Sequence, residues 1–154
     1  WCLPNDHAAD HPDATPVADE PALAAVLRAQ VRAHADAFVA EHPSRRLLPR
    51  RALLGAFTDG LDTGLWLAGD TTPERLLPDA ALALPAGPSP LPASTLHVLV
   101  DGRGRRHVDR RTLSCCYYFK IDLAAGPCGT CPRIPAADRL RRLTDLPDEL
   151  LTNH

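Results

Sequence analysis

Residues 114–133 read "SCCYYFKIDLAAGPCGTCPR" and hold four of the chain's five cysteines. Cys115 and Cys116 are adjacent, and Cys128 and Cys131 form a C-x-x-C. Thiols gathered in this way can form disulfides, exchange disulfides, grip a zinc ion or hold an iron–sulfur cluster. Structural disulfides belong to oxidising compartments, for which the sequence carries no signal, and neighbouring cysteines seldom bond to each other. Redox C-x-x-C chemistry wants its first thiol after a strand, at a helix N-terminus. No alternating strand–helix pattern surrounds this one. A metal site uses all four thiols together. "GPCGTCP" suits a metal knuckle: Gly126 and Pro127 bend the chain before it, Pro132 bends it after, and Gly129 lets backbone N–H groups face the sulfurs.

Zinc and iron–sulfur then compete. Structural zinc favours two C-x-x-C-like hooks around one tetrahedral ion. Adjacent Cys115 and Cys116 make a poor hook, because on a strand successive side chains point to opposite faces; a turn would bring both inward. A [2Fe–2S] cluster offers positions on two irons, one for the doublet and one for the C-x-x-C. On the residues alone both metals stay open. Cys2, far from the others, reads as a lone buried or free thiol.

The elements around the thiols follow from periodicity. Residues 1–18 are polar, Pro-rich and aperiodic, a loop or disordered lead-in. Asp19 as a cap and Pro21 in a first turn open a helix. Leu23, Leu27, Val31, His34 and Phe38 give it an apolar stripe, with Val26 and Val39 alongside, ending before "EHPS". His34 on that stripe reads as a core-edge histidine. A second helix follows Pro49, with Leu53, Leu54, Phe57, Leu61, Leu65 and Ala68 as its buried side. Gly60 and Gly64 would permit a close helix approach. Arg45, Arg46, Arg50 and Arg51 surround its start, as a solvated face or an anion site. "TTPERLLPD" is a short helix, and residues 78–94, with five prolines, a semi-rigid connector. "DG" marks a hairpin of Leu96–Val100 and Arg106–Arg110. "AADRLRRLTDLPDELL" is an amphipathic tail helix. The expected fold is mainly α with a small β-hairpin: a helical body, a Pro-rich connector and a cysteine-bearing loop. The expected divisions are a lead-in 1–18, a domain 19–135 and a tail helix 136–154.

At 154 residues there is enough chain for one domain with a real core. The net charge of −2 hides five arginines in residues 103–111 and an acidic first quarter. That slight negative charge and the sparse aromatics argue against nucleic acid as a partner. There is no methionine even at position 1, so a fragment or processed chain is expected. No signal-peptide pattern and no transmembrane segment is visible, and the expected location is cytoplasmic. No catalytic triad, HExxH or nucleotide-binding glycine motif occurs.

The spacing C-C-x11-C-x2-C resembles the C-terminal cluster motif of the ferric siderophore reductase family, the FhuF-like proteins. "RRTLSCCYYFKIDLAAGPCGTCPR" matches its doublet, the Tyr-containing stretch, the glycine before the third cysteine and "CGxCP", with a spacer one residue longer than the common form. "SRRLLPRRALLGAFTDGL" is similar to the family's helix with an Arg-rich start. The resemblance covers residues 20–135; family members are usually longer at the N-terminus. It implies a [2Fe–2S] cluster on Cys115, Cys116, Cys128 and Cys131, which are both its ligands and the redox centre. It also implies an oxidoreductase that reduces Fe(III) in a siderophore of the hydroxamate type, fed by an unidentified electron donor. In that reading Arg110, Arg111, Arg133 and Lys120 are the nearest cations in sequence and would raise the potential of an anionic cluster, Arg111 foremost. Tyr117, Tyr118 and Phe119 would shield it from water. The alternatives are a four-cysteine zinc module and a ferredoxin-like carrier without a siderophore substrate.

Overall fold

The computed structural model describes residues 1–42, 48–68, 72–87, 89, 91–115, 117, 120–121 and 126–145. Among them, α1 (Glu20–Glu41), α2 (Arg50–Ala68) and α3 (Pro73–Ala83) pack pairwise, and α3 also touches both strands of a hairpin. The hairpin pairs β1 (Leu96–Val100) with β2 (Arg106–Arg110) antiparallel, His97 opposite Asp109. A fourth helix, α4 (Ala136–Thr144), follows the cysteine segment. The fold is mainly α with a small β-hairpin, as the periodicity predicts. No described helix is long and apolar enough to cross a membrane.

The Asp19 carboxylate caps α1 by accepting from Ala22 N–H at 2.8 Å, and Pro21 sits in the first turn. The expected stripe of α1 is buried only in part: Val31, and Val39 alongside, pack against the core. Ala24 and Ala35 face inward, while Leu27 and Phe38 are exposed. His34 stands edge-on to Phe57, a ring contact at the core's margin. The core gathers Ala35, Leu54, Ala83, Leu84 and Leu91, flanked by Val31, Val39, Phe57, Leu61 and Leu65.

The short helix runs further than "TTPERLLPD". α3 continues through Pro78 to Ala83. An interior proline costs about 3 kcal/mol. Leu76 and Leu84, both 2% exposed, each return about 1.5–3 kcal/mol by burial, which offsets it. Arg28 of α1 donates to Leu82 O at 2.5 Å and satisfies a carbonyl in the last turn of α3. The Pro-rich stretch after it is a docked loop more than a spacer. Ser94 N–H bonds Leu84 O at 3.1 Å, Leu91 is in the core, and Thr58 Oγ1 donates to Pro92 O.

Residues 1–18 form a closed loop. Buried Cys2 bonds Thr15 and Val17 through its backbone, and Asp6 caps a 3-10 turn at His7–Asp10. Arg50 is paired with Asp36 of α1, and Arg51 is exposed; Arg45 and Arg46 lie outside the described residues. A Cβ on Gly60 or Gly64 would meet nothing within 4 Å, so the close approach expected there does not occur. α4 is held by one buried arginine: Arg139 Nε lies 2.7 Å from Asp109 of β2, and its Nη1 donates to Ile134 O. The second half of the expected tail helix lies outside the described residues.

Candidate metal centre

Beyond β2 the chain runs along α2, and α2 holds it there. Asp59 is buried in the helix and turns its carboxylate outward to the loop. Its Oδ1 accepts from Leu113 N–H at 2.8 Å, and its Oδ2 from Ser114 N–H at 2.9 Å and Ser114 Oγ at 2.5 Å. The next residue is Cys115. Gly55, one turn earlier, lets the loop lie close, since a Cβ there would stand 3.0 Å from Leu113 Cβ. Arg110 Nη1 donates to Asp59 O at 2.6 Å and to Thr63 Oγ1. Three residues beyond Asp59, Asp62 performs the same task for the chain leading into β1. It accepts from Ser94 Oγ at 2.6 Å and from Thr95 N–H at 2.8 Å.

The C-x-x-C joins the same assembly. Thr130, between its cysteines, accepts at its carbonyl from both Thr112 N–H and Thr112 Oγ1 at 3.0 Å. This clasp ties the segment before the doublet to the knuckle. Gly126 adopts φ +63°, a conformation that favours glycine, so the expected bend before the knuckle is present. Cys131 N–H closes the turn on Cys128 O at 3.0 Å, and Arg142 of α4 reaches Pro127 O at 3.2 Å. Gly129 has open space beside it, so nothing in the described residues demands a glycine there.

Cys115, Cys128 and Cys131 open onto one cavity of about 560 Å³. Pro49, Ala52, Leu53 and Ala56 of the α2 start wall it on one side, with Thr112, Ser114, Tyr117 and Thr130 around the thiols. Cys131 is buried, Cys115 half-buried and Cys128 exposed. Cys115 and Cys131 form no disulfide. Among the described residues no three His, Cys, Asp or Glu side chains form a group that could hold a metal ion. The fourth motif thiol, Cys116, lies outside the described residues, as do Tyr118 and Phe119. Cysteine sulfur is the donor type that suits a sulfur-bound centre, and the three described cysteines line one cavity without forming a metal-holding group.

No protein-family model, curated protein or solved structure matches the chain.

The cations nearest the thiols in sequence are not on the described lining of the cavity. Arg110 is spent on α2, Arg111 and Arg133 are exposed, and none of the three lines the cavity. Lys120 sits 5.0 Å from the Tyr117 ring. The charged side chain on the described lining is instead Asp59. Sequence reasoning missed Asp59, Asp62, Thr112 and Thr130. A signal was present: Thr58 and Asp62 share a face with Leu54 and Leu65 at helical spacing, so polar groups interrupt a buried stripe.

Proposed function

We propose that this chain is a [2Fe–2S] protein of the cytoplasm that passes single electrons to Fe(III) held by a hydroxamate-type siderophore and releases Fe(II). The observation that carries the reading is the shared cavity of Cys115, Cys128 and Cys131, with the two thiol-bearing segments clasped through Thr112 and Thr130. The C-C-x11-C-x2-C spacing supports it, with Cys116 as the fourth ligand. When bound, such a centre takes up and gives out one electron at a time. Oxygen donors hold Fe(III) far more tightly than Fe(II), so one electron frees the metal, and an electron donor protein recharges the system. The chain's own residues hold and shelter. The apolar turns of α2 keep water from one wall, buried Cys131 anchors the set, and exposed Cys128 marks the edge that electrons cross.

Anaerobic reconstitution with ferrous iron and sulfide tests this. The expected product is brown, absorbs in the visible and contains iron and acid-labile sulfide in equal amounts. Serine at Cys115, Cys116, Cys128 or Cys131 abolishes the colour, and serine at Cys2 preserves it. A colourless, zinc-loaded protein would overturn the reading in favour of a zinc module. Pre-reduced protein is expected to be reoxidised faster by ferric hydroxamates than by a simple ferric chelate. Equal rates would leave a ferredoxin-like carrier and remove the siderophore.

A further inference from the structure

We infer that Asp59 is the positioning residue of the sulfur set and the source of its local negative charge, a role that rests on reading the cysteine cavity as a metal centre. Asp59 is 8% exposed and gives both carboxylate oxygens to the two residues before Cys115. Two backbone N–H groups and one hydroxyl fix that segment against α2. Thr112, next to Leu113, then transmits the fixed position to Thr130 inside the C-x-x-C. One helical side chain thus sets where both thiol-bearing segments stand. Asp59 also lines the cavity, where the described lining offers no cation. A fixed negative charge beside an anionic centre opposes the addition of an electron and lowers its potential.

Asp62 supplies the control within the same helix. It is 0% exposed and takes a matching set of donors from Ser94 and Thr95. It does not line the cavity. Each carboxylate takes three hydrogen bonds from a loop, and of the two only Asp59 bonds the thiol segment.

The test titrates Co(II) into the metal-free, reduced full chain and follows the thiolate-to-cobalt charge-transfer band. Asp59→Asn is expected to weaken Co(II) binding by about tenfold or more, the range seen when a residue supporting metal ligands is lost. Asp62→Asn is expected to stay within about twofold of the parent on the same scale. Where iron and sulfide assemble, Asp59→Asn raises the reduction potential and Asp62→Asn leaves it unmoved. Should Asp59→Asn fail to fold, Ser114→Ala removes one of the three hydrogen bonds and keeps the charge. It is expected to weaken Co(II) binding without raising the potential. Equal effects at positions 59 and 62, no effect at either, an unaltered affinity in Ser114→Ala, or a parent chain with no thiolate–cobalt band would each overturn the inference. Thiolate–cobalt binding that Asp59→Asn weakens and Asp62→Asn does not, without assembly of iron and sulfide, would overturn the diiron reading alone and uphold the role of Asp59.

Discussion

Asp101 gathers the turn between β1 and β2 around a single carboxylate. Oδ1 accepts from the N–H groups of Arg103 and Arg105, and Oδ2 from Arg105 Nε at 2.8 Å and His107 Nε2 at 3.1 Å. Burial by itself pushes this carboxyl up. The hydrogen bonds from His107, Arg105 and the Arg103 backbone outweigh it and hold the group well below the usual carboxylate range. The unfolded group titrates at about 3.9. A depressed folded value means that the stabilisation is complete above about pH 3.9 and is lost as pH falls through the folded value. Asp101→Asn should therefore lower the melting temperature at pH 7, with the gap to the parent narrowing steadily as pH drops below about 4. Melting curves at pH 7 and pH 2 measure this; a constant gap would show that the charge is irrelevant to the turn.

At the scale of elements, α4 is anchored through one buried side chain, with an exposed second tie from Arg142 to Pro127 O. Arg139 is its buried residue, and its Nε donates to Asp109 Oδ2, which also lies 3.2 Å from His97 Nε2. Removing one partner of a buried pair costs about 3–5 kcal/mol. Arg139→Ala should therefore release α4, seen as rapid proteolysis after residue 135 with helical signal from α1–α3 retained. An arginine on a nine-residue helix reads from sequence as solvated, so this anchor was not legible. Hairpin limits and the α1 start were legible, because "DG", Asp19 and Pro21 act through local backbone chemistry. Which face of α1 turns inward was not, since Ala24 and Ala35 count as apolar in any periodic pattern. Pro78 misled in the same way: its local penalty is real, and long-range burial of α3 overrides it. At the site, residue type and spacing pointed to the thiols. The acids and threonines that hold them act across 18 to 55 positions of sequence; polar Thr58 and Asp62 in the buried stripe of α2 mark the turn involved, and no local pattern names the partners.

The whole molecule divides its stability unevenly. The core cluster draws on α1, α2, α3 and the connector loop, and among the described residues none of its members comes from 112–134. The thiol-bearing part is secured by polar clasps to α2 and α4. Loading the centre should accordingly raise hydrogen-exchange protection across residues 112–134 and leave the interior of α1 and α3 unchanged. Removing the metal with a chelator should reverse only that gain. Protection rising uniformly along the chain would mean that the two parts open as one unit. Asp59 and Asp62 stand three residues apart, about 4.5 Å along the axis. The two long loops are therefore clocked from a single turn of α2. An inserted residue between them would swing one acid away by about 100° and throw the loops out of phase, however mild its side chain. Glycines 60 and 64, which face open space, tolerate exchange; the count of residues across that turn does not.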